Sequence, residues 1–226
     1  MLKIESELHT PVWGTEDWFK LDRPFEHLLF KVIDAREKLS VQVHPGDAYA
    51  RVHENSLGKT EAWYILEAEE GAKLVYGFKE GVSKEDFRDA IENETVEELL
   101  NFVSVRPGDM FFIPAGVVHA LGGGIKLAEL QQNSNLTYRV WDYGRKPARE
   151  MHVEKALDVV LIDSDQLSAV SNRSMTCEYF SIEEKNISGE YTAPENCLIF
   201  MPLTNELFYA NANERITGNG KILIMK

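Results

Sequence analysis

Residues 101–120, NFVSVRPGDMFFIPAGVVHA, contain two short apolar runs, each closed by a proline with a glycine one or two residues on. Proline lacks the N–H that a sheet interior needs, and glycine opens the left-handed turn region, so each run must stop there. Runs this short, rich in Val, Phe and Ile, form strands rather than helices. The pattern recurs in LLFKVIDA (28–35), LSVQVH (39–44), KTEAWYIL (59–66), AKLVYGF (72–78), IKLAELQQ (125–132) and TYRVWDY (137–143). Many short strands between tight turns predict a mainly β fold, a barrel or a sandwich.

The period changes twice. Between 83 and 102, Phe87, Ile91, Leu99 and Leu100 fall at helical spacings, Ser83 can cap the start, and Thr95 with Glu98 resembles a second capping box, so a short helical insert is expected there. EMHVEKALDVVLI (150–162) reads as an amphipathic helix and as the domain boundary. It divides a first domain, 1–149, from a smaller C-terminal β unit, 150–226, with strand candidates TCEYFSIEE, CLIFMPL, ELFYAN and KILIMK.

The formal net charge of −13 argues against a nucleic-acid surface, which needs clustered Lys and Arg. A phosphorylated ligand would have to be held by a few local cations. No apolar run approaches the roughly 20 residues of a membrane span. The N-terminus, MLKIESELHTPVWG, lacks the basic-then-apolar order of a signal peptide. Cys177 and Cys197 form no C-x-x-C pair, so they read as free thiols. A cytoplasmic location follows as the expectation.

In SVQVHPGD (40–47), strand alternation puts Gln42 and His44 on one face and Val41 and Val43 on the other. Were the Gln42 face turned into a barrel, both polar groups would need partners, and a metal ion is one efficient partner. Glu61 shares its strand face with Trp63 and Ile65, so a carboxylate is expected in an apolar interior. His119 follows Val117 by two residues just past a Pro-Gly turn. Two histidines, a carboxylate and an amide oxygen describe an open metal site better than a closed one. Zinc suits this set, and iron, manganese and cobalt tolerate it. His9, His27, His53 and His152 have no ligand-like companion and read as structural or surface residues.

Gly108–His119, GDMFFIPAGVVH, resembles the second cupin motif, with Gly123 where its closing Asn usually stands, and the His-x-His of the first motif is altered to Gln42-Val43-His44. With GKTEAWYI and QQNSNLTYRVWDYGR, residues 25–160 resemble the class I, cupin-type mannose-6-phosphate isomerases. The resemblance implies a double-stranded β-helix (jelly-roll) barrel and one Zn²⁺ held by Gln42, His44, Glu61 and His119. It places Ser40 and Lys59 near the sugar phosphate, makes Arg139 the active-site arginine, and sets Glu129 in the same pocket. Arg145, where some members carry lysine, is a further substrate contact. Members carry a longer segment, with a GE-x-W motif, before the first cupin strand, whereas here Trp13-Gly14 leads almost directly into it. Pocket walls that differ are therefore expected, with cover that a homo-oligomer could supply.

The implied reaction interconverts mannose 6-phosphate and fructose 6-phosphate through an enediol. Arg139 suits the stabilisation of charge on O1 and O2, because its guanidinium stays protonated and donates through a planar fork. Glu129 and a water on the metal are the two candidate bases. A sugar-binding cupin without this activity is the competing expectation, since the fold hosts many functions.

Overall fold

In LLFKVIDA, Leu28, Phe30 and Val32 belong to one apolar cluster, and Ile33 and Ala35 to another. A strand buried on both faces has to lie between two packed layers. The computed structural model describes residues 1–162 and 173–226, and every count below refers to them. The elements in chain order are β1 (Leu2–Ile4), β2 (Ser6–His9), β3 (Gly14–Lys20), β4 (Leu28–Ala35), β5 (Val41–Val43), α1 (Asp47–His53), β6 (Glu61–Ala68) and β7 (Lys73–Phe78). There follow α2 (Lys84–Glu92), a 3₁₀ turn (Val96–Glu98), β8 (Leu100–Ser104), β9 (Met110–Ile113), β10 (His119–Ala120), β11 (Ile125–Gln132), β12 (Tyr138–Trp141) and α3 (Val153–Val159). The chain ends with β13 (Ser174–Thr176), β14 (Ser181–Thr192), β15 (Cys197–Met201), β16 (Glu206–Ala210) and β17 (Arg215–Met225).

The strands form three antiparallel sheets, ordered β2-β3-β4-β11-β6-β9, β12-β5-β10-β7-β8 and β1-β16-β15-β17-β14-β13. The first two close on a shared core of Ile33, Trp63, Ile65, Leu74, Tyr76, Phe111 and Leu127, giving the expected cupin barrel. Val41, Val43 and Val140 on the outer face of the second sheet pack against Phe87 of α2 and Leu157 of α3. On the outer face of the first sheet, Phe30, Tyr64 and Leu130 pack against Leu198, Phe200 and Leu223 of the third.

One polar contact crosses that last apolar layer. Tyr64 Oη donates to Glu184 Oε2 at 2.6 Å, and Lys221 Nζ stands 3.1 Å from the same oxygen. Tyr64→Phe leaves this buried carboxylate short of a donor. A loss of about 1–3 kcal/mol is expected, read as a lower urea midpoint with an unchanged slope.

Several local expectations are corrected. β2 and β3 precede the first strand read from the sequence, because their charged residues (Glu7, Glu16, Asp17) mask the alternation. Between Pro45 and Lys59, where no element is expected, lies α1, held by an Arg51–Asp47 pair at 3.1 Å and by Tyr49 stacked on His53. Ser83 caps α2 as expected, its Oγ accepting from Asp86 N at 3.0 Å. Thr95 makes no side-chain cap; the insert tightens to one 3₁₀ turn, and Leu100 already pairs with Phe78 in the sheet. α3 ends at Val159, where the chain turns extended and Leu161 N donates to Gly116 O at 2.8 Å. Chain order and sheet membership part at the N-terminus, where β1 pairs with β16.

Candidate metal centre and its cavity

Register brings the polar side chains together. In the second sheet Arg139 lies opposite Gln42, Gln42 opposite His119, and His119 opposite Tyr76. In the first, Trp18 lies opposite Lys31, Lys31 opposite Glu129, Glu129 opposite Trp63, and Trp63 opposite Phe111. Cross-strand neighbours share a face, so each row is a ladder of side chains directed into the barrel. Glu61, two residues before Trp63, extends the second ladder toward the first.

The ends of these ladders converge. Ligand atoms of His44, Glu61 and His119 all lie within 4.8 Å of one another, and all three residues are buried. Glu61 Oε1 is 3.2 Å from His119 Nε2, Glu61 Oε2 is 3.6 Å from His44 Nε2, and the Gln42 amide reaches His119 Nε2 at 3.3 Å. His44 Nδ1 donates to Leu136 O at 2.8 Å and His119 Nδ1 to Val117 O at 2.9 Å. A carbonyl can only accept, so both rings carry their proton on Nδ1 and turn the Nε2 lone pair into the cluster.

Neither Glu61 oxygen makes a well-directed hydrogen bond, nor does His44 Nε2, although Lys59 Nζ stands 3.0 Å from Glu61 Oε2. Buried polar atoms left without partners are costly. Burial drives His44 well below its ordinary range, helped by the Lys59 charge, and lowers His119 to about 4. Burial also raises Glu61 to about 7, with the Glu129 charge adding and Lys59 opposing. Two neutral imidazoles and an acceptor-rich carboxylate, with His44 Nε2 and both Glu61 oxygens unpartnered and His119 Nε2 met only by the Gln42 amide, form a donor set that fits a divalent cation.

The loop leading to Lys59 is built from side chains as well. Asp47 Oδ1 accepts from Gly58 N at 2.7 Å and from Gln132 Nε2 at 3.0 Å, while Gln132 Oε1 accepts from Thr60 N at 2.9 Å. A Cβ on Gly58 would meet Asp47 N at 2.5 Å, so only glycine lets the loop close. Burial would lower Lys59, but Glu61 and then Glu129 outweigh it and hold the ammonium above its ordinary value.

A cavity of about 420 Å³ opens beside the cluster, lined by Ser40, Gln42, Lys59, Glu129 and Arg139 among others. Glu129 Oε2 accepts from Trp63 Nε1 at 2.7 Å, and Oε1 is 3.4 Å from Lys31 Nζ. Burial would raise Glu129, but Lys31 and Lys59 keep it below its ordinary value and so ionised. Arg139 Nε donates to Ser40 Oγ at 3.2 Å and Nη1 to Glu150 O at 2.8 Å. Arg145 is not part of this lining, since it is spent on Asp142 at 3.1 Å and Lys38 O at 2.7 Å.

Four charged or aromatic lining residues, Glu16, Trp18, Lys31 and Arg149, escaped the sequence reading. Lys31 interrupts an apolar strand as Glu61 does, but a lone lysine there reads as solvated. Glu16 and Trp18 reach the cavity from β3, a strand outside those read from the sequence. Arg149 sits on an irregular segment where no periodicity points to it.

No family model matches the chain. The mannose-6-phosphate isomerase ManA of Bacillus subtilis is 44% identical over 177 residues, 72% of this chain and 56% of that protein. The mannose-6-phosphate isomerase of Streptococcus mutans is 48% identical over 139 residues, 60% of this chain and 44% of that protein. The chain is a homologue of the mannose-6-phosphate isomerases. It spans about half the length of these curated relatives. Among solved structures, the B. subtilis mannose 6-phosphate isomerase superposes with a TM-score of 0.81 at 24% identity, covering 100% of this chain and 99% of that one. A mannose 6-phosphate isomerase bound with zinc and yttrium gives 0.70 at 14% identity, covering 100% and 98%. These structural likenesses speak to the fold, and they agree with the cupin barrel. Among the described residues no helix is long and apolar enough to cross a membrane.

Proposed function

We propose that this chain is a zinc-dependent aldose-ketose isomerase that interconverts mannose 6-phosphate and fructose 6-phosphate. The observation that carries the reading is the buried cluster of His44, Glu61 and His119, in which His44 Nε2 and both Glu61 oxygens lack a hydrogen-bond partner, beside a cavity that also holds Glu129 and four cations, Lys31, Lys59, Arg139 and Arg149. His44, Glu61 and His119 would hold the ion, with the Gln42 amide turned to offer its oxygen. When bound, Zn²⁺ supplies a Lewis acid for the sugar oxygens.

The residues divide the remaining work. Isomerisation moves a proton between C2 and C1 and develops negative charge on O1 and O2. Glu129, kept ionised by Lys31 and Lys59, is the group placed to take that proton; Trp63 holds its Oε2, and Oε1 faces the Lys31 charge without a hydrogen bond. Arg139, anchored through Ser40 and Glu150, presents a permanent positive charge to the developing enediolate. Lys59 offsets the Glu61 charge and bounds the cavity beside it. The cation-lined cavity selects a phosphorylated hexose in a chain whose net charge is −13. The same charge balance supports a partner list without nucleic acid, and the reading places the protein in the cytoplasm.

Prolonged chelation is expected to abolish turnover of mannose 6-phosphate, and added Zn²⁺ to restore it, in an assay coupled to fructose 6-phosphate. Full turnover after verified removal of metal overturns the proposal. Thermal stabilisation by sugar phosphates without turnover would assign the cavity to binding alone.

A further inference from the structure

We propose that Arg149, and not Arg145, is the residue of this cavity that binds the substrate's phosphate, with Asp142 positioning it; the inference rests on the sugar-phosphate reading above.

The first argument is geometric. Arg149 lines the cavity, whereas the two side-chain nitrogens of Arg145 with recorded partners are turned to Asp142 and to the Lys38 carbonyl. Arg149 Nε donates to Asp142 Oδ2 at 2.7 Å, and Nη2 donates to Oδ1, a two-point grip on a carboxylate that is itself buried. That grip fixes the guanidinium plane, and among the described residues Nη1 makes no hydrogen bond. Such a group is held in place from behind while a pair of N–H donors stays free for an acceptor in front, the geometry that planar guanidinium uses on phosphate.

The second argument is charge. Asp142 is the one carboxylate that Arg145 and Arg149 both contact, and Arg139 feels the repulsion, its guanidinium being pushed down by burial and by the Arg149 charge beside it. Lys59 faces Glu61, and Lys31 lies between Glu129 and Glu16. Arg139 is anchored to Ser40 and is assigned to the reacting oxygens. Of the cations that line the cavity, Arg149 is the one left to meet a dianion. Arg145 has Glu37 at 3.7 Å as a second carboxylate, so Arg139 and Arg149 beside Asp142 leave positive charge at this end of the cavity, and a phosphate neutralises it.

The test compares Arg149→Met, Arg149→Lys and Arg145→Met in the metal-loaded protein. For Arg149→Met, KM for mannose 6-phosphate is expected to rise on the order of 10- to 100-fold, the loss of charge-assisted hydrogen bonds, with kcat changed less than about threefold. Arg149→Lys recovers part of the loss, and inhibition by inorganic phosphate weakens in parallel with KM. A KM rise confined to Arg145→Met, or unchanged phosphate inhibition in Arg149→Met, overturns the assignment. Calorimetric binding of inorganic phosphate to wild type and to Arg149→Met needs no turnover, so it separates failure of this inference from failure of the isomerase reading. Weaker binding in Arg149→Met supports the phosphate seat whatever the activity, and equal binding in a folded variant overturns it.

Discussion

His119→Ala is expected to strip the metal and to lower isomerisation by roughly a thousandfold or more, the scale of removing several kcal/mol of charge stabilisation from a transition state. His119 is the residue where the two halves of the site meet. Its backbone pairs with the strand of Gln42, its Nε2 faces Glu61 at 3.2 Å, and its ring lies edge-on to Trp63, which in turn donates to Glu129. Truncation removes one donor, leaves Glu61 with an unanswered oxygen, and loosens the Trp63 wall that orients Glu129. His53→Ala, on the exposed end of α1, should leave metal content and rate as they are. Metal analysis and the coupled assay, run on both variants, check the contrast. An active His119→Ala that retains stoichiometric metal contradicts the assignment of this residue.

The second large effect is on stability. Phe200 is fully buried at the seam between the first and third sheets, its ring centroid 4.8 Å from that of Phe30. Phe200→Ala is expected to cost about 3–5 kcal/mol through lost burial and an unfilled cavity. The seam carries Phe30, Tyr64 and Leu130 on the outer face of the sheet whose inner face carries Lys31, Trp63 and Glu129. We therefore expect the loss to appear as one cooperative denaturation transition shifted to lower denaturant. Two separate transitions, with the barrel's midpoint unmoved, would show that the third sheet adds nothing to the barrel's stability.

What the sequence revealed and what it hid follow from the same physics. Gln42, His44, Glu61 and His119 were legible because each breaks an otherwise apolar alternation, and a strand's period of two says at once which face the break is on. Lys31 breaks LLFKVIDA in the same way, yet a lone lysine on a strand is most simply read as solvated. Only the register that sets it opposite Glu129 and Trp18 gives it a partner. Glu16 and Trp18 were hidden because β3 mixes charged and aromatic residues, so its inward face could not be told from its outward one. Arg145 and Arg149 lie on a segment without periodicity between β12 and α3, and there spacing says nothing about direction. The choice between them is made by one carboxylate, Asp142, and by the Lys38 carbonyl, neither of which is a neighbour that sequence spacing identifies. The C-terminal strands were recognisable as apolar runs, but the polar arms of β14 and β17 were not, because their pairing along Ile182–Thr192 and Arg215–Met225 comes from backbone hydrogen bonds rather than from burial.

The central claim is that a divalent metal and a phosphorylated hexose share this cavity. Anomalous diffraction from crystals grown with Zn²⁺ and fructose 6-phosphate tests it most directly. The account predicts a single strong anomalous peak about 2.0–2.2 Å from His44 Nε2, His119 Nε2, a Glu61 oxygen and the Gln42 amide oxygen, with the sugar in the adjoining cavity and its phosphate on Arg149. Zinc bound elsewhere, with these four side chains empty of metal while the sugar phosphate occupies the cavity, would contradict it.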